Sequence, residues 1–232
     1  MIRAILLDIE GTTTPIAFVH EVLFSFARDH VNEFLAKNAG AEDVRADVAR
    51  LGEEHAADVS SGQQPPPVND SLVAYVEWLI ARDRKSTGLK SLQGKIWRQG
   101  YTAGSLRSQV YADVAPAFAR WRARGWTINI FSSGSVLAQQ LLFAHTDAGD
   151  LTGFISDYFD TNVGNKGEAD SYRKIAESLN TQPDEVLFIS DVVAELDAAG
   201  EAGMQTLLSI RPGNQPQEHA DRYKAIHSFD SV

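Results

Sequence analysis

Short apolar runs at residues 2–7, 127–131, 185–189 and 206–210 stand out against an otherwise mixed chain. Each is shorter than an ordinary helix and closes on small or acidic residues, the pattern of a buried strand. The first three are followed at once by polar clusters, Asp8-Ile9-Glu10-Gly11-Thr12, Ser132-Ser133-Gly134-Ser135 and Ser190-Asp191, and then by helical patterns. Apolar positions at helical spacing predict helices over 114–124, stopping at Gly125, over 169–179, with Asn180 as a cap, and over 193–200, ahead of a turn at Gly203.

Strands alternating with helices predict an α/β fold, a Rossmann-like parallel sheet core with right-handed crossovers. Sites in such sheets form at the carboxyl ends of the strands, where the polar clusters sit. The stretch between the first and second strands differs in character. It predicts helices over 18–38, 41–60, 71–84 and 91–100 and no strand, with a loop at 60–67 where three consecutive prolines exclude helix. The expected organisation is therefore a core built from residues 1–14 and 110–232, interrupted by an inserted all-helical cap domain at 15–109.

The chain has 232 residues, enough for one large domain or one with an insert. Lys and Arg number 21 against 31 Asp and Glu, a net charge of −10. A chain this acidic is not expected to hold nucleic acid by bulk electrostatics, so a phosphate ligand needs a local site, with a cation. The absence of cysteine excludes disulfides, thiolate metal sites and a cysteine nucleophile. The opening MIRAILLDIEG is too short for a signal peptide's apolar region, and no apolar stretch reaches the roughly 18 residues that span a bilayer. A cytoplasmic protein with no membrane partner is expected. With no heptad pattern or large apolar stripe, a monomer is expected too.

The chemistry lies in four clusters. Two carboxylates at i and i+2 past a strand end, Asp8 and Glu10, converge on one ligand when the loop turns. Such a pair suits a hard divalent cation, Mg²⁺ being the usual companion of a phosphate. It equally suits covalent phosphoryl transfer, one carboxylate attacking phosphorus while the other moves protons. Ser132 and Ser133 place hydroxyls and backbone N–H groups at a strand-to-helix junction, a phosphate cradle. Lys166, between Asn165 and Gly167, is a point charge able to approach a phosphate closely. Asp191 ends a strand, and Glu195 falls one helical turn later on the same face. Each cluster alone has an ordinary structural role: an acidic strand exit, a helix N-cap, a solvated loop lysine. Their conjunction at successive strand ends, in the order acid pair, serine, lysine, acid, favours chemistry.

That order resembles the four motifs of the haloacid dehalogenase-like phosphohydrolases, with Asp8-Ile9-Glu10 standing where many members carry Asp-x-Asp. A narrower match covers residues 2 to about 212. Asp8-Ile-Glu-Gly-Thr-Thr-Thr-Pro-Ile16 with Phe18-Val-His20, and Leu92-Gln-Gly-Lys-Ile-Trp97 with Gly100-Tyr101, resemble the enolase-phosphatases of methionine salvage, also called acireductone synthases. In that family Asp-x-Glu-Gly-Thr is the norm, and Phe-Ser-Ser-Gly-Ser135, Asn-Lys-Gly167 and Ser-Asp-Val-Val-x-Glu195 match as well.

The resemblance implies that 2,3-diketo-5-methylthiopentyl 1-phosphate is enolised and then dephosphorylated to an acireductone. It makes Asp8 the nucleophile and Glu10 the residue that protonates the leaving oxygen and later activates water. It places Mg²⁺ among Asp8, Glu10 and Asp191, and the phosphoryl oxygens against Ser132 or Ser133 and Lys166. Glu195 would orient Lys166 or a water on the metal. In the cap, His20, Lys95, Trp97 and Tyr101 are candidates for substrate contact. Two other readings stand beside this one: a generic Mg²⁺-dependent phosphomonoesterase of the same superfamily without enolase activity, and a binding module that keeps the fold but does no chemistry.

Overall fold

The strand at Ala4–Leu7, β1, is four apolar residues with no wet side, as a parallel strand covered on both faces must be. A computed structural model describes residues 1–68, 71–82, 84 and 86–232, and in it β1 lies inside a six-stranded sheet. The other strands are β2 (Thr127–Phe131), β3 (Asp157–Phe159), β4 (Val186–Ser190), β5 (Gln205–Ser209) and β6 (Ala225–Ile226). Their order is β3-β2-β1-β4-β5-β6, and every pair is parallel.

Register fixes what meets at the carboxyl edge. Leu7 pairs with Ile130 on one side and Ile189 on the other. Asp8, Ser132 and Asp191 therefore leave three adjacent strands within one residue of the same level. The chain moves outward from β1 to β2 and β3, then returns to the other flank for β4, so the sheet reverses direction between β1 and β4. That reversal is where ligands bind in open α/β sheets.

The helices are α1 (Phe24–Asn38), α2 (Glu42–Ser60), α3 (Val73–Ile80), α4 (Thr87–Thr102), α5 (Val114–Ala123), α6 (Val136–Ala144), α7 (Ala169–Ser178) and α8 (Val193–Glu201). A π-helical turn at Phe18–Leu23 precedes α1. Two compact units result: residues 1–19 with 107–232, which hold the sheet and α5–α8, and residues 20–106, which hold α1–α4 and no strand among the described residues. The divisions fall a few residues inside the expected 15 and 109. Residues just after 106 are tied to the sheet unit by Ser108 N–H on the His145 carbonyl (2.9 Å) and Tyr111 N–H on the Thr13 carbonyl (3.0 Å). No helix among the described residues is long and apolar enough to cross a membrane.

Most expected elements occur with small shifts at their ends. The helix expected at 91–100 begins earlier, at Thr87, because the Ser86 hydroxyl accepts the Leu89 N–H (2.9 Å) and caps it. The one expected at 71–84 is shorter, Val73–Ile80, and position 83 of that expectation lies outside the described residues. Asn180 ends α7 in the left-handed region, at φ 50°. Strands β3 and β6 were not foreseen: at three and two residues on the sheet edges, they are too short to leave a period.

The C-terminal stretch carried no readable pattern, yet it is anchored to the sheet unit by a buried cation. The Arg211 guanidinium donates to the carbonyls of Thr12 (3.3 Å) and His227 (3.0 Å) and pairs with Asp113 at 2.8 Å. It lies over the rings of Tyr111 and Phe229, and Phe229, fully buried, packs on Trp121. Removing one member of a buried pair strands the other charge, so Asp113→Ala is expected to lower stability by about 3–5 kcal/mol. Asp170→Ala, which breaks the exposed pair with Lys174, should change stability far less. Urea unfolding of the two variants measures the difference.

Candidate active site

The loop after β1 is knotted on itself. The N–H groups of Thr12, Thr13 and Thr14 all approach the Ile9 carbonyl, at 3.2, 2.9 and 2.9 Å, and Gly11 N–H returns to the Thr14 carbonyl at 2.8 Å. The knot requires Gly11 at φ 67°, where an L side chain is strained. A Cβ there would strike the Asp191 carboxylate, which occupies the space beside it. The backbone of the acid-pair loop and the acid that follows β4 are thus brought against each other, and only glycine permits the approach.

Lys166 is delivered from the loop before α7. Two hydroxyls of α7 fasten that loop: Ser171 Oγ donates to the Asn165 carbonyl (2.7 Å) and Tyr172 OH to the Lys166 carbonyl (2.8 Å). Asn165 Oδ1 accepts Gly167 N–H at 2.9 Å, closing the turn. Held this way, Lys166 is buried, with Nζ 2.5 Å from Asp8 Oδ1 and 2.7 Å from Glu195 Oε2. Glu195 is oriented in turn by Ser190, whose hydroxyl donates to Oε2 (2.8 Å) while accepting Val192 N–H (3.1 Å). This is no solvated loop lysine. Of the two roles left open for Glu195, its contact favours orienting Lys166.

Asp191 is buried and caps nothing: α8 starts without a side-chain cap. Burial first, and then the Glu195 and Glu10 charges, push its carboxyl up to about 6. Asp8 is held well above the ordinary carboxylate range by burial, which Lys166 offsets only in part and the charges of Glu195 and Asp191 reinforce. Lys166 itself feels burial working against its charge, but the Asp8 and Glu195 carboxylates outweigh it and raise its affinity for the proton. One ammonium thus faces an excess of carboxylates, an imbalance that a divalent cation would relieve.

The donor set fits that cation. Among the described residues no three His, Asp or Glu side chains form a cage. What the site offers is the carboxylates of Asp8, Glu10 and Asp191, near enough that the Asp191 charge acts on Asp8 and the Glu10 charge on Asp191. Mg²⁺ is held by one or two carboxylates with the remaining positions left to water and phosphate, rather than by an all-protein cage.

At the end of β2, Ser132 N–H bonds the Phe159 carbonyl (3.1 Å), and its buried hydroxyl accepts Gly134 N–H (3.2 Å). The capping of α6 falls to Ser135, which accepts Ala138 N–H at 3.3 Å. Gln139 Nε2 braces the turn, donating to the carbonyls of Gly134 and Phe159, each at 2.8 Å. Ser132 and half-buried Ser133 are therefore not needed as caps, and neither bonds Asp8 or Lys166 among the described residues. In the helical unit the candidates for substrate contact are engaged locally. Trp97 Nε1 donates to the Leu23 carbonyl (2.8 Å), with its ring stacked on Phe24. Lys95 pairs with Asp43 and Asp47, His20 meets Phe24 edge-on, and Tyr101 is buried. The fastening residues Tyr172, Ser171 and Asn165 were missed in the sequence. Only Asn165 left any signal, as the residue before Lys166 in the Asn-Lys-Gly167 motif.

A family model for haloacid dehalogenase-like hydrolases matches residues 2–203. Two relatives named enolase-phosphatase E1, from Synechococcus elongatus and Sorangium cellulosum, are 54% and 50% identical over 100% and 99% of the chain and 98% and 97% of their own length. The crystal structure of the UTR4 protein of Saccharomyces cerevisiae superposes with a TM-score of 0.81, at 34% identity and full coverage of both chains.

The ion cluster generates a pH test. Lys166→Met removes the charge that partly offsets burial at Asp8, so the folded-state carboxyl rises further. Between the unfolded value near 4 and that raised value, the native state binds more protons than the unfolded one, and stability falls as pH rises. Urea midpoints should place the variant closest to wild type near pH 5 and further below it at pH 8. A constant gap would contradict the arrangement.

Proposed function

The chain belongs to the enolase-phosphatase family of haloacid dehalogenase-like hydrolases, and from that membership we infer its reaction: it is a phosphatase that enolises a phosphorylated diketone before releasing phosphate. The substrate is 2,3-diketo-5-methylthiopentyl 1-phosphate and the product an acireductone, 1,2-dihydroxy-3-keto-5-methylthiopentene, a step of methionine salvage. The observation that carries the residue assignment is the Asp8–Lys166–Glu195 chain at the reversal of the sheet, with Asp191 alongside.

Asp8 is the nucleophile. Lys166 holds its Oδ1, which leaves Oδ2 to attack phosphorus and fixes the carboxylate in a reactive pose. The bond from phosphorus to the enol oxygen breaks as the bond to Oδ2 forms. Glu10, two residues on and less buried, gives its proton to the departing oxygen and then takes one from the water that cleaves the aspartyl-phosphate. Lys166 and the Ser132 and Ser133 hydroxyls bind phosphoryl oxygens, and their placement before reaction begins stabilises charge in the transition state. Glu195 and Ser190 keep the Lys166 ammonium aimed. Asp8, Asp191 and the Glu10 carbonyl would hold Mg²⁺, which when bound neutralises the phosphate and supplies positive charge to a developing enolate.

Phosphate release from the diketo phosphate, followed together with enol absorbance and with or without Mg²⁺, tests the reading. Mg²⁺-dependent release with an enol signal is expected, and release with no enol would leave a plain phosphomonoesterase. Asp8→Asn should lose release by roughly 10³-fold or more, since the attacking group is gone. The Asp191 carboxyl, pushed up to about 6 without metal, must lose its proton to bind a cation. Apparent Mg²⁺ affinity should therefore fall as pH drops through 6, and the raised Asp8 carboxyl, which must also lose its proton, steepens the fall. A profile flat from pH 5 to 8 would remove Asp191 from the cation site.

A further inference from the structure

The turn after β5 places one side chain against the acid-pair loop that no part of the mechanism uses. Asn214 Nδ2 donates to the Gly11 carbonyl (2.9 Å) and to the Ser209 carbonyl (3.2 Å). Two carbonyl acceptors can be met only by the NH₂ end of the amide, so the direction of Oδ1 is fixed. That oxygen is fully buried, and no donor among the described residues reaches it. It points into the space beside Gly11: a Cβ on that glycine would lie 2.8 Å from Asn214 Oδ1 and would also strike Asp191 Oδ2. An amide oxygen and a carboxylate oxygen thus converge on one small polar space at the loop that carries Asp8 and Glu10.

Buried acceptors in folded proteins nearly always find a donor. Two acceptor oxygens cannot satisfy one another, and glycine is required there because a Cβ would strike both. A water that donates outward from a cation fills the need, since Mg²⁺ dehydrates reluctantly and keeps several waters when protein-bound. We propose that Asn214 is a positioning residue of the cation site, its Oδ1 accepting a hydrogen bond from a water of the Mg²⁺ hydration shell while its Nδ2 pins the Gly11 carbonyl. The proposal rests on the Mg²⁺ reading given above and extends it to a residue from a distant part of the chain.

Calorimetric titration of the full-length, substrate-free protein with MgCl₂, alongside thermal unfolding without metal, tests it. Loss of a partner to the cation's surroundings weakens binding by about 10–100-fold, so Asn214→Ala should lose at least about tenfold in Mg²⁺ affinity. Asn214→Asp restores an acceptor oxygen facing the same space but loses the donor to Gly11. It should melt lower than wild type without metal, yet bind Mg²⁺ within about threefold of wild type. Ser209→Ala removes the other donor to the Gly11 carbonyl (3.2 Å) and gauges loop pinning alone; it should lose less than Asn214→Ala. The proposal fails if Asn214→Ala binds as wild type does, if the Ala and Asp variants weaken alike, or if Ser209→Ala weakens as much as Asn214→Ala. If the Ala variant does not fold, Asn214→Asp against Ser209→Ala still decides. A wild type that binds no Mg²⁺ would overturn the cation reading itself together with this proposal, an outcome distinct from unchanged variants of a binding wild type.

Discussion

A single buried ammonium, Lys166, sits between the carboxylates of Asp8 and Glu195, and much of the sheet unit is arranged around that fact. A charge taken out of water is tolerated only with well-placed partners, and a partner removed is costly. The cluster joins three parts of the chain that lie far apart in sequence: the end of β1, the loop before α7 and the first turn of α8. Each has its own fastening. Tyr172 and Ser171 hold the lysine loop, Ser190 holds Glu195, and the Ile9 carbonyl gathers the N–H groups that close the loop behind Asp8. The placement of the Asp8 carboxylate is inherited from these ordinary neutral hydrogen bonds.

The cluster is deliberately unbalanced. Asp8, Asp191, Glu10 and Glu195 crowd one lysine, and the result is two carboxyls with raised proton affinity. For a phosphatase this imbalance is useful. In the proposed mechanism it would draw a divalent cation to the place where an anionic substrate meets an anionic nucleophile, in a chain whose overall charge of −10 repels phosphate. Coulomb repulsion between nucleophile and substrate is then relieved locally rather than by the field of the whole protein.

The turns that follow the last strands extend the same economy of contacts. Arg211 reaches the Thr12 carbonyl and Asn214 reaches the Gly11 carbonyl, so the one turn after β5 grips the loop that follows β1. Gly11 is where these demands meet, since its positive φ allows the knot and its missing side chain leaves room for Asp191.

Much of this was legible without coordinates. The apolar runs ending in Asp8, Ser132 and Asp191 announced parallel strands, because a strand buried on both faces must be continuously apolar and its carboxyl end must turn polar. The acid pair, the serines, the lysine and the later acid were visible as types in order. What stayed hidden were β3 and β6, too short to carry a period, and the C-terminal anchor, where Arg211, Asp113, Tyr111 and Phe229 meet across about a hundred residues of chain. Hidden too were the choices among roles: that Ser135 rather than Ser132 caps α6, that Asp191 caps nothing, and that Glu195 turns to Lys166. Local sequence determined the elements and the inventory of reactive groups, since propensity and periodicity act over a few residues. Which group neutralises which, and what each carboxylate's proton affinity becomes, only the tertiary structure decided, because burial and Coulomb energy depend on distances between residues that the chain brings together only when it folds.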